Sequence, residues 1–157
     1  MSRKLKITGF ILAMLISGFF REILFVNMNA VLYYKYFQPG EATHLFHENF
    51  RFLTAFSYKT LYISKWFITL GFVFLFWFIQ KKFIFFLFTE KKAVFWLGML
   101  YLSLLLLAGI SFGTGWLLGN LEQGYRFSRI FTGLLESPVP CMILIPLTYF
   151  YKKQTHI

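Results

Sequence analysis

The stretch AVFWLGMLYLSLLLLAGISFGTGWLL, Ala93 to Leu118, runs for 26 residues without a charge. A bilayer core of roughly 30 Å is crossed by about 20 helical residues, so this segment is long enough to span one. Three further runs meet the same requirement with few charges: Ile7 to Val26, Thr60 to Ile79 and Ile130 to Tyr151. The expected architecture is therefore all-α, a polytopic integral membrane protein with four transmembrane helices in a single membrane domain over 1–157. Glu136 with Pro138, Pro140 and Pro146 leaves two readings of the fourth segment open, a full span or a re-entrant one.

Composition supports lipid as the main solvent. Of 157 residues, 58% are hydrophobic, 23% aromatic and 14% charged, and 23 are phenylalanine. A soluble domain carries about 25% charged residues, so this chain has too little polar surface to face water all round. A disordered chain, a collagen, a disulfide scaffold and an ordinary soluble enzyme are excluded. Asp is absent, and Cys141 is the single cysteine, so no intrachain disulfide forms.

Sixteen Lys and Arg against six acids give a net charge of +10. Their placement assigns an orientation. Arg3, Lys4, Lys6, Lys81, Lys82, Lys91, Lys92, Lys152 and Lys153 fall on one side of the four spans, opposed there by Glu90. Lys35, Arg51, Lys59, Arg126 and Arg129 fall on the other, and Arg21 and Lys65 lie inside helices. Nine against five places both termini in the cytoplasm by the positive-inside rule. A basic start before an apolar run also fits a signal peptide, but no A-x-A site follows, which favours a retained first helix. Nucleic-acid binding is not expected; Lys81, Lys82, Lys91 and Lys92 suit anionic lipid heads instead.

The first outer loop, 27–59, holds Ala42, Leu45, Phe46, Phe50 and Leu53 on one helical face, opposite His44, His47, Glu48 and Arg51. This pattern predicts an amphipathic interfacial helix over about 42–55, after a break at Pro39-Gly40. Tyr33, Tyr34, Tyr36, Tyr58 and Tyr62 would form an aromatic belt at that level.

In the third run, Gly109, Ser111, Gly113, Gly115 and Gly119 make two interleaved rows of small residues, a seam for close helix packing. The seam faces either a helix of the same chain or a partner. The bland alternative is that glycine is simply frequent in membrane helices.

Ionisable residues within spans are functional candidates. Arg21 and Glu22 near the outer end of the first run, with Arg126, Arg129 and Glu136 around the fourth, are expected to form an outward-opening polar cluster. Glu122 and Arg126 are four apart and suited to pair on one turn. The competing reading is mutual neutralisation, with the long cations snorkelling to the surface. His44, His47 and Glu48 provide no complete metal site, so solvated histidines are expected there, with no metal and no cofactor. Cys141, inside an apolar run, reads as buried and inert rather than catalytic.

The strings Tyr125-Arg126-Phe127-Ser128-Arg129 and Gly133-Leu134-Leu135-Glu136-Ser137-Pro138, with Phe20-Arg21-Glu22, resemble the exosortase-associated membrane proteins. The matching positions are Arg21, Arg126, Arg129, Ser137 and Pro138. The resemblance implies an inner-membrane accessory protein beside an exosortase, a polytopic cysteine transpeptidase that acts in protein sorting. That enzyme's Cys, Arg and His are not carried over, because the candidates here run His, Arg, Cys. Read together, residues and resemblance predict an accessory or scaffold protein whose partners are the bilayer and a larger membrane protein. The rival is a small transporter or lipid- and anion-binding protein in which Arg126 and Arg129 grip the anion.

Overall fold

The computed structural model describes residues 2–37, 47–89 and 91–155. Among these the structure is all-helical, with no strand: α1 (Arg3–Phe37), a 3-10 segment (Glu48–Ala55), α2 (Tyr58–Phe88), α3 (Lys91–Leu117), α4 (Leu121–Leu135) and α5 (Val139–Thr155). α1, α2 and α3 are each long and apolar enough to cross a membrane. α4 and α5 meet that test only as a pair, bent by 58° at their junction. Among the described residues, three helices are thus long and apolar enough to cross a membrane, or four if the bent pair is one span. The continuous helix expected over 130–151 is instead two helices. Pro138 and Pro140 lack the N–H that an unbroken ladder would need.

α1 is longer than anticipated. Its 35 residues extend about 52 Å at 1.5 Å per residue, so the segment from Asn27 to Phe37, read as loop, is helix. The predicted interfacial helix is only partly in view: residues 42–46, with His44, lie outside the described residues. Glu48–Ala55 forms a 3-10 helix rather than an α-helix. His47 caps it, its ring nitrogen accepting from the Asn49 amide at 3.3 Å.

The chain divides into two compact units, 1–14 with 73–157, and 15–72. In the unit 15–72, Leu53 of the 3-10 segment is buried with Met28, Val31 and Leu32 of α1 and Leu61 of α2, flanked by Leu24, Phe50 and Ile68. Side chains tie this core to the backbone. Asn27 Oδ1 accepts from the His47 amide at 2.8 Å, and the Lys35 ammonium donates to the carbonyls of Thr54 (2.8 Å) and Phe56. Lys65 of α2 donates to Asn29 of α1 at 2.7 Å. Ser57 starts α2, its hydroxyl accepting from the Thr60 amide at 3.2 Å. Of the expected aromatic belt, Tyr36, Tyr58 and Tyr62 are neighbours, with ring centres 5.8 and 6.3 Å apart.

In the other unit, α3 packs on α4 and α5. Phe76, Ile84, Leu97 and Leu135 are fully enclosed. Phe10 of α1 meets Phe83 and Phe86 of α2 at 5.5 and 6.0 Å. Four lysines of this unit rest on aromatic faces. Lys6 lies over Phe86 (5.6 Å), Lys81 over Trp77 (4.7 Å), Lys82 over Phe78 (5.5 Å) and Lys152 over Phe88 (5.8 Å).

Candidate functional site

α3 ends in a Schellman motif. Gly119 has φ +71°, the Asn120 amide donates to the Gly115 carbonyl at 2.9 Å, and the Gly119 amide donates to Trp116 at 3.3 Å. Asn120 then caps α4, its side-chain oxygen accepting from the Gln123 amide at 3.3 Å. This turn folds α4 back along α3, and the two backbones nearly touch. A Cβ on Gly115 would lie 2.5 Å from Gly124 Cα, and one on Gly124 would lie 2.8 Å from the Ser111 carbonyl oxygen.

The seam residues therefore separate into three roles. Ser111 and Gly115 meet α4 of the same chain, through a glycine the sequence reading did not single out. Gly119 is a helix stop rather than a packing residue, because its left-handed backbone is what ends α3. Among the described residues, Gly109 and Gly113 have nothing within 4 Å of where a Cβ would stand.

Beyond α4, the chain breaks at Glu136-Ser137-Pro138. The Glu136 amide still donates to Thr132 at 3.1 Å. The Ser137 hydroxyl donates to Leu134 at 2.7 Å and accepts from the Val139 amide at 3.3 Å. The carbonyls released by the break are met from other helices. Tyr101 of α3 donates to Leu135 at 2.9 Å, and Gln80 of α2 donates to Ser137 at 2.7 Å. The break is enclosed by protein: Gln80, Leu135 and Pro140 are fully buried, Glu136 is 3% exposed and Cys141 2%, the setting that non-helical backbone would need inside a bilayer. Tyr101 lies within electrostatic reach of both Glu136 and Cys141. The Gln80 Oε1 atom accepts no hydrogen bond among the described residues.

Gln80 and Tyr101 were missed in the sequence. Gln80 stands directly before Lys81-Lys82 and reads as the polar end of a span, whereas α2 continues to Phe88.

The predicted charged residues are placed differently from one another. Arg21 pairs with adjacent Glu22 at 3.5 Å and lies over the Phe25 ring at 5.5 Å, in the unit 15–72. In the other unit, Arg126 pairs with Glu122 at 2.7 Å on the exposed side of α4. Arg129 is also exposed, whereas Glu136 is buried. The seven-residue spacing of Arg129 and Glu136 would align them on one face of a continuous helix. α4 ends at Leu135, however, and Glu136 takes the cap position with φ −89° and ψ 28°.

Among the described residues no group of three or more His, Cys, Asp or Glu is placed to hold a metal ion. The Cys141 thiol is buried within the junction. The arrangement around Glu136 fastens a broken helix, and the Gly115–Gly124 crossing fastens the hairpin before it.

Among the described residues, fold and site thus define an all-helical protein with helices long and apolar enough to cross a membrane and, in the unit of 1–14 with 73–157, a buried polar junction. No protein-family model, no curated protein and no solved structure matches the chain.

Proposed function

We propose that the chain is a small accessory or scaffold subunit of a bacterial cytoplasmic membrane, packing against a larger membrane protein, with both termini in the cytoplasm. The observation that carries this reading is the open pair Gly109 and Gly113. They are four residues apart on one stripe of α3, and among the described residues nothing stands within 4 Å of where their Cβ atoms would be. Small residues at such spacing let a second helix approach closely, which drives association in lipid. Gly115 makes this kind of contact already, with α4; Gly109 and Gly113 are left for a partner.

Sparse internal burial supports the same reading. In the most apolar windows of α1, α2 and α3, 11%, 33% and 22% of the residues are buried inside the chain, so most residues there keep some surface for lipid or another protein. The orientation rests on the nine basic residues that share one side of the spans. The resemblance around Tyr125 to Pro138 makes an exosortase the first partner to seek.

The test is extraction of the tagged chain in mild detergent, with mass spectrometry of what accompanies it. Gly109→Leu with Gly113→Leu is expected to remove a reproducible polytopic partner while melting as the unaltered chain does. Recovery of the same partner by the double variant, or recovery of no protein partner by either chain, would refute the proposal.

A further inference from the structure

At the basic end of the unit formed by 1–14 and 73–157, the start of α3 and the end of α5 enclose a cleft of about 260 Å³. Its floor is Ala93 (2% exposed) and Leu144 (7% exposed), and its walls are Trp96 and Leu147. Lys92 and Tyr151 stand at its mouth. There it opens into a shallower hollow of about 420 Å³ that Lys91 and Phe95 also line. Leu144 to Tyr151 spans seven residues of α5, roughly 10 Å along its axis. The slot is thus mainly apolar, with Thr148 its one neutral polar residue besides Tyr151, and cationic at one end.

That gradient selects its ligand. A free phosphate would use the mouth and leave an apolar slot beside it. A neutral hydrocarbon would fill the slot and make no use of the two adjacent lysines beside it. An amphiphile with an acyl chain and an anionic head satisfies both, since juxtamembrane lysines are drawn to anionic lipid. Two further cations of this unit lie against rings at the ends of their helices, Lys6 over Phe86 and Lys152 over Phe88. Glu90 is the one acid adjoining Lys91 and Lys92 in the sequence.

The geometry points to a binding site for an anionic glycerophospholipid, with one acyl chain lying between Trp96 and Leu147 over Ala93 and its phosphate held by Lys91 and Lys92. The site rests on the membrane placement of the helices and not on a protein partner, so it stands or falls separately from the docking of α3.

The experiment uses the full chain in uncharged detergent, with Trp66, Trp77 and Trp116 replaced by Phe so that Trp96 alone reports. Phosphatidylglycerol and phosphatidylcholine carrying the same brominated acyl chains are titrated against its fluorescence. Each lysine is expected to contribute about fivefold, so phosphatidylglycerol should quench Trp96 at about thirtyfold lower concentration. Lys91→Ala with Lys92→Ala should abolish that preference and Lys91→Arg with Lys92→Arg should retain it. Both positions are exposed, so neither pair threatens the fold. Arg126→Ala with Arg129→Ala should leave the preference intact. Equal quenching by the two lipids, or an undiminished preference in the double alanine variant, would overturn the site. Competition by glycerol 3-phosphate as effective as that by phosphatidylglycerol would also overturn it, by showing a phosphate site with no role for the slot.

Discussion

Replacing Gly115 by alanine places a methyl group 2.5 Å from the Cα of Gly124 and 2.9 Å from its amide nitrogen. Both obstacles are backbone, so neither rotates away. Ordinary van der Waals contact begins at 3.4 Å, and the difference of 0.9 Å from the 2.5 Å approach is the least by which α3 and α4 must part. Overpacking of this kind costs about 1–3 kcal/mol. It is opposed by the gain of up to about 1 kcal/mol when alanine replaces glycine inside a helix. Gly113→Ala on the same helix receives the same propensity gain and meets nothing within 4 Å. Subtracting the two variants therefore isolates the clash: Gly115→Ala should be less stable than Gly113→Ala by about 1–3 kcal/mol. Gly124→Ala should behave like Gly115→Ala, because its Cβ would meet Gly115 Cα at 2.7 Å. The assay is loss of helical circular dichroism as sodium dodecyl sulfate is titrated into mixed micelles. Equal midpoints for Gly115→Ala and Gly113→Ala would refute the close crossing.

Further expectations concern the turns and the broken helix. Thr89 holds φ +56° between α2 and α3, a left-handed position that costs a β-branched residue about 1–2 kcal/mol; Thr89→Gly should raise stability by about 1 kcal/mol in the same titration. Gly119→Ala, at φ +71°, should lower it by a similar amount, about 1 kcal/mol, through loss of the αL cap. Tyr101→Phe removes the donor to the Leu135 carbonyl and should cost about 0.6–1.7 kcal/mol, the range for hydrogen bonds between membrane helices. Adding Gln80→Leu, which strips the Ser137 carbonyl of its donor, should cost more than the two single changes summed if the pair jointly holds the break; simple additivity would show two independent contacts. Cys141, 2% exposed, should resist a small maleimide in the folded chain and react once the detergent unfolds it.

How much could be read in advance differs from one feature to the next. The uncharged run from Ala93 to Leu118 and the first two apolar runs identified helices long and apolar enough to cross a membrane, because transfer to lipid depends on local composition over about 20 residues. Glu122 with Arg126 was equally legible, since a spacing of four suffices to bring them together on a helix. The Schellman turn was written in Gly119-Asn120, a C′ glycine followed by an N-cap residue, though the glycines were read as one seam. That turn lies midway between Gly115 and Gly124, the signal that would have identified the crossing.

Gln80 and Tyr101 carried no such signal. Each is one polar residue in an apolar helix, and its partner is a backbone carbonyl 57 or 34 residues away. The 3-10 segment likewise escaped the helical pattern, because Leu53 takes its place by packing between α1 and α2 rather than by local periodicity. Local sequence determined which segments are helical and apolar enough to leave water, where α3 stops and where the fourth segment is weakened by proline. Only the tertiary structure decided which glycines are filled by a neighbouring backbone, that Glu136 turns inward, and which side chains meet the carbonyls of the break. Helix formation and transfer to lipid are sums over neighbouring residues, whereas these contacts depend on the meeting of segments that the sequence keeps apart.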